Sequence, residues 1–234
     1  MKMIVSDYDE TFSEDLKKNI KYANKFIKEG NLFVIATGSS YQSYIDKLGE
    51  NKFDVSYVIV NHGSLIIKND NVIYEEVLTH ELSKSVFEDI MNSNYSSYFY
   101  CNKDIRMSDD ILDKTVKINV VFNNRQDANS FKDKILKKYS NLVNCYLMYD
   151  VLIEITSIKA SKIKAINKIM KLENIDKADV YTIGDGYNDI EMIKEFNGYA
   201  IKNAVDELNK VAKNKIDSVY ELIEEISSIW WIRN

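Results

Sequence analysis

Met3-Ile4-Val5-Ser6-Asp7-Tyr8-Asp9-Glu10-Thr11 joins a short apolar run to two carboxylates separated by a single residue. The run does not alternate with polar residues, which is the pattern of a strand covered on both faces of a parallel sheet. In an extended segment alternate side chains point the same way, so Asp7 and Asp9 can share one pocket. Carboxylates that close repel one another, and a cation or a shared proton must relieve the repulsion. An ordinary acidic turn after a strand is the competing account, and the pair alone does not decide between them.

Outward from this stretch, short apolar strands alternate with amphipathic helices. A helix is expected over residues 15–28, with Ile20, Ala23, Phe26 and Ile27 on one face and Gly30 as its stop. Residues 32–36 and 57–60 read as buried strands, and residues 64–74 as a hairpin turning near Asn69-Asp70-Asn71. The rhythm then changes: helices over 81–91 and 127–138 mix with strands over 98–100, 116–122, 143–148 and 151–155. Such βαββ-like content predicts a separate α+β lobe inserted into the first domain. The first pattern resumes with a helix over 161–172 and a strand over 180–183. Helices follow over 190–196, 205–212 and 219–228.

Three further segments fall at strand ends or helix starts. Ala36-Thr37-Gly38-Ser39-Ser40 offers hydroxyls and backbone N–H groups to a phosphate oxygen, although a capped helix start uses the same residue types. Lys162 opens the helix after the strand carrying Glu154, and its compact charge can neutralise a phosphoryl group. With Lys159, Lys164 and Lys168 nearby, a solvated helix face is the alternative. Gly184-Asp185-Gly186-Tyr187-Asn188-Asp189 is more specific. Its carboxylates at the end of a strand fit a hard cation such as magnesium, and a plain turn does not call for three acidic or amide groups. Ligands of open α/β sheets bind outside the carboxyl ends of the strands, where all four segments can lie. Together they supply a nucleophile, an acid/base, phosphate donors, a cationic clamp and metal oxygens. That set suffices for phosphoryl transfer.

Composition narrows the partners. The 234 residues allow one large domain or a core with a smaller lobe, and 45% hydrophobic with 29% charged residues is an ordinary globular balance. A net charge of −5 leaves no basic footprint for nucleic acid. The opening apolar segment is too short for a signal-peptide core, and no apolar run is long enough to span a bilayer. Cys101 and Cys145 lack metal-ligand spacing and read as core thiols, from which a reduced, cytoplasmic setting is expected. Trp230 and Trp231 read as packing residues. His62, at the mouth of the third strand, is either a loop histidine or a contact for the leaving group.

In their order and setting these motifs resemble the haloacid-dehalogenase-like superfamily, in its Cof-type branch with an α/β cap (subclass IIB). The resemblance is carried by the Asp7 and Thr37 segments, Glu154-Ile155-Thr156 through Lys162, the run from Gly184 to Met192, and Asn203-Ala204. It implies an α/β fold: a Rossmann-like parallel-sheet core over residues 1–78 and 153–234, with an inserted α+β cap over 79–152. It also implies a magnesium-dependent phosphatase that hydrolyses a small phosphomonoester, such as a sugar phosphate or similar metabolite, through an aspartyl-phosphate.

By that resemblance Asp7 matches the nucleophile and Asp9 the acid/base. Thr37 with Gly38, Lys162 and Asn188 match the phosphate contacts. Asp7, the Asp9 main chain and Asp185 match the magnesium site, and Asp189 supports Lys162. No nucleic acid or membrane partner is implied, and oligomeric state is left open. Four positions depart from the pattern: Glu10 stands where glycine is usual and Ser39 where many relatives carry arginine, while Lys159 and Ile163 replace small residues. A phosphomutase of the same fold and a catalytically degenerate binding protein are the alternatives. A signalling receiver domain shares some of these groups, but the second aspartate and the large insertion argue against it.

Overall fold

The computed structural model describes residues 1–102, 106–107 and 114–233. β1 (Met3–Ser6) leads through α1 (Leu16–Lys28) to β2 (Leu32–Ala36), and through α2 (Tyr41–Leu48) to β3 (Tyr57–Val60). The hairpin of β4 (Leu65–Lys68) and β5 (Asn71–Glu75) is followed by α3 (His80–Met91). Next come β6 (Tyr95–Cys101), β7 (Arg106–Met107), β8 (Lys117–Phe122), α4 (Arg125–Tyr139), β9 (Val143–Met148) and β10 (Leu152–Ser157). α5 (Lys162–Glu173) and β11 (Val180–Gly184) precede α6 (Ile190–Glu195) and β12 (Asn197–Ile201). α7 (Asp206–Val211), β13 (Asn214–Ile216) and α8 (Val219–Arg233) follow.

The strands form two sheets. One has the order β13-β12-β11-β1-β2-β3-β4-β5, parallel from β13 to β3, with the β4–β5 hairpin antiparallel at its edge. The other, β7-β6-β8-β10-β9, is antiparallel throughout. Period-two geometry explains why β1 and β2 are apolar at nearly every position. Ile4, Phe33 and Ile35 pack on one face with Ile20 and Phe26 of α1 and Leu222 and Ile226 of α8. Met3, Val5 and Val34 pack on the other with Ile166 and Ile169 of α5 and Ile193 of α6. The second sheet has its own core, where Val86 and Ile90 of α3 and Phe131 and Ile135 of α4 cover Ile118, Val120 and Ile153.

Local chemistry sets the element ends. Ser40, Thr79, Asn124 and Ser161 each accept a backbone N–H in the first turn of the helix that follows, a cap that contributes about 1 kcal/mol. Asn69 and Asp70 make the hairpin turn with φ of 50° and 61°, a conformation their short polar side chains tolerate.

Some expectations shift. The 152/153 boundary falls at the start of β10, which pairs over its whole length with β9 and over Leu152 to Ile155 with β8, so residues 153–157 lie in the second sheet. β12 opens on Asn197-Gly198, a turn signal by composition, and β13 is only three residues long; neither was expected as a strand. No disulfide joins Cys101 and Cys145, and burial pushes the Cys145 thiol up to about 12. The side chains of Trp230 and Trp231 lie outside the described residues. No helix among the described residues is long and apolar enough to cross a membrane.

Candidate active site

β1, β2 and β11 are neighbours in the first sheet, so the segments that leave their carboxyl ends converge. After β1 the chain does not continue as an extended strand. Asp7 keeps one sheet-like bond, from its N–H to the Ile183 carbonyl at 2.9 Å, and then the backbone winds into a short kinked turn. Glu10 within that turn has φ 57° and ψ 4°, the left-handed region where a glycine is unstrained. The turn sends the Asp7 and Asp9 side chains to different partners.

Asp7 is buried, and its Oδ1 accepts a hydrogen bond from Lys162 Nζ at 2.7 Å. The same ammonium donates to Asp189 Oδ1 at 2.6 Å. Lys162 is itself buried; burial works against its charge, but Asp189 and Asp7 hold it protonated above the ordinary lysine value. Asp189 Oδ2 accepts from the backbone N–H groups of Asp185 and Gly186 at 3.3 and 3.2 Å, closing the turn after β11 around one carboxylate. Gly184 permits this, since a Cβ there would lie 2.6 Å from Asp189 Cγ.

Asp185 is half-buried and accepts from Thr11 Oγ1 at 2.6 Å. Ligand atoms of Asp7, Asp185 and Asp189 all lie within 4.8 Å of one another. One lysine does not balance three carboxylates in so dry a place. Burial, with Asp189 and Glu10 nearby, raises Asp185 to about 6 despite the Thr11 bond. Burial also drives Asp7 well above the ordinary carboxylate range, reinforced by Asp189 and Asp185 and opposed by Lys162. A hard divalent cation on these oxygens would relieve that excess, so the donor set fits magnesium.

The Asp9 carboxylate lies apart from this group. Its Oδ2 accepts from Ser39 Oγ at 3.1 Å and, at the long distance of 3.4 Å, from Thr37 Oγ1. Its Oδ1 accepts from Lys47 Nζ at 2.6 Å. Thr37 is buried at the end of β2, and its hydroxyl also accepts from the Ser39 N–H at 3.0 Å. Asp7, Asp9, Thr37, Gly38, Asp185 and Asn188 all border one cavity of about 1450 Å³ between the two sheets. Lys117, Tyr146 and Glu154 line its far side from the second sheet.

Every residue expected in the site thus comes to one region, with Lys162 and Asp189 beneath Asp7. Lys47 was not anticipated: an exposed lysine in the last turn of a helix reads as a solvated charge. The buried group of His62, Glu154 and Lys117 was not anticipated as a unit either. His62 Nε2 lies 2.6 Å from Glu154 Oε2, and Lys117 Nζ lies 2.5 Å from Glu154 Oε1.

Sequence and structure comparisons identify relatives of the whole chain. A family model described as haloacid dehalogenase-like hydrolase matches residues 4–119 and 105–222. A 5-amino-6-(5-phospho-D-ribitylamino)uracil phosphatase of Escherichia coli is 23% identical over 97% of this chain and 96% of its own. A kanosamine-6-phosphate phosphatase of Bacillus subtilis is 23% identical over 93% of this chain and 88% of its own. A HAD/COF-like hydrolase structure from Plasmodium vivax superposes with a TM-score of 0.84 at 18% identity, covering 98% of this chain and 96% of that one. The chain belongs to the haloacid dehalogenase-like hydrolase family.

Proposed function

We propose that this chain is a magnesium-dependent phosphatase that hydrolyses a small phosphomonoester, with Asp7 as nucleophile and Asp9 as acid/base. The observation that carries the reading is the placement of Lys162 between Asp7 and Asp189, whose carboxylates cluster with that of Asp185, while Asp7 and Asp185 border the cavity. A buried carboxylate tethered through one oxygen keeps the other for attack on phosphorus. The E. coli and B. subtilis relatives are named as phosphatases of phosphorylated small molecules, which supports the same substrate class here.

Asp7, Asp185 and the Asp9 carbonyl would hold magnesium, which when bound supplies Lewis-acid neutralisation of the phosphate charge. Asp7 forms a bond to phosphorus as the bond to the leaving oxygen breaks, and Asp9 gives that oxygen its proton. Asp9 then takes a proton from the water that attacks the aspartyl-phosphate, which restores Asp7 and releases phosphate. Thr37, the backbone N–H groups beside it, Lys162 and Asn188 hold the phosphoryl oxygens as charge redistributes.

A panel of phosphorylated metabolites assayed for free phosphate, with magnesium and with a chelator, tests the reading. Magnesium-dependent phosphate release is the expected result. Transfer back to substrate without free phosphate would favour a mutase, and no turnover on any panel member would favour a binding protein.

A further inference from the structure

The carbonyls of Thr37, Gly38 and Ser39 each accept a hydrogen bond, but not from the same part of the molecule. The N–H groups of His62 and Asn61, in the turn after β3, donate to Thr37 O at 3.2 Å and to Ser39 O at 2.9 Å. The middle carbonyl, Gly38 O, accepts from Lys117 Nζ at 2.7 Å, and Lys117 belongs to the second sheet. Lys117 is only 3% exposed and is fixed by Glu154, its diagonal neighbour across β8 and β10. Glu154 in turn meets His62 Nε2, and the His62 ring stacks on Tyr146 of β9 at 4.1 Å. Three adjacent strands therefore grip one imidazole and one carbonyl of the first sheet's loops. Gly38 must lack a side chain for this fit, because a Cβ would lie 2.5 Å from His62 Cε1.

The Gly38 carbonyl and the Ser39 N–H belong to one rigid peptide plane. That N–H donates to Thr37 Oγ1, which faces Asp9. The orientation of this plane, and with it the Thr37 hydroxyl, depends on a cation supplied by the other sheet. Resting on the phosphatase reading above, we propose that Lys117, held by Glu154 and His62, is a positioning residue. It sets the Thr37–Ser39 loop for phosphoryl transfer only when the second sheet is seated. The buried ion pair is thereby tied to catalysis as well as to fastening the sheets together.

The test uses Lys117→Met and the double variant Lys117→Met/Glu154→Gln, which leaves no unpaired buried carboxylate. Kinetics on an aryl phosphate with magnesium are read beside thermal unfolding and hydrogen exchange of the Ser39 amide. The expected result is a fall in kcat of about tenfold or more, KM within about threefold, and faster Ser39 exchange in a folded double variant. Wild-type kcat in the double variant, even with a lowered Tm, would overturn the positioning role and leave the phosphatase reading intact. If the unaltered protein itself shows no turnover, that reading fails instead. Ser39 exchange then decides the present proposal: faster exchange confined to the Thr37–Ser39 loop supports it, and unchanged exchange overturns it.

Discussion

Lys47 Nζ, on the last turn of α2, lies 2.6 Å from Asp9 Oδ1 and 3.0 Å from Ser39 Oγ. Ser39 Oγ and Asp9 Oδ1 accept from one ammonium, so the cation on this side of the site comes from the helix. Asp9→Asn should lower kcat by roughly 100-fold or more, the usual share of a general acid/base. Lys47→Ala should lower it by a smaller factor, because Thr37 and Ser39 still hold Asp9. Steady-state kinetics on one aryl phosphate compares them, and equal losses, or none with Lys47→Ala, would argue against this ordering.

Glu10 occupies a left-handed position, with φ 57°, on the exposed side of the turn after Asp7. Glu10→Gly removes backbone strain of about 1 kcal/mol and a negative charge close to Asp185. Thermal unfolding should rise by roughly 2–4 °C for a chain of this size. An unchanged or lower Tm would show that the strain is relieved elsewhere.

Asp89 joins α3 to α4 in the second layer, accepting from Tyr139 Oη at 2.7 Å and Lys138 Nζ at 2.8 Å, with Lys134 Nζ at 3.0 Å. Burial pushes its carboxyl up, but Lys138, Tyr139 and Lys134 outweigh that and hold it below the ordinary value. A depressed folded pKa contributes stability above the unfolded value of about 3.9, and loses it as pH falls through the folded one. Asp89→Asn should therefore cost about 2 kcal/mol near neutral pH, with the difference shrinking as pH falls below the unfolded value. Denaturant unfolding followed from neutral pH into the acid range checks this; a cost that stays constant with pH would contradict it.

Much of the parallel sheet was legible because β1, β2 and β3 are apolar on both faces, which little else in a soluble fold requires. The Asp7, Thr37 and Asp185 segments were legible because they sit where β1, β2 and β11 end, and Lys162 because it opens α5. Lys47 was not, since its role arises only when the turn at Glu10 swings Asp9 towards α2. Nor was the Lys117–Glu154–His62 group, whose members lie 37 and 92 positions apart and meet only through strand register and the stacking of two sheets. β10 alternates Ile153 and Ile155 with Glu154 and Thr156, and its place in the second sheet emerges only from its pairing with β8 and β9.

The central claim is that Asp7 is the nucleophile, and Asp7→Asn tests it most directly. The substitution removes the attacking carboxylate but keeps its volume, and Lys162 retains its 2.6 Å bond to Asp189. Phosphate release from an aryl phosphate in magnesium should disappear in this variant, while its Tm stays close to that of the unaltered protein. Turnover retained in a folded Asp7→Asn protein would contradict the account.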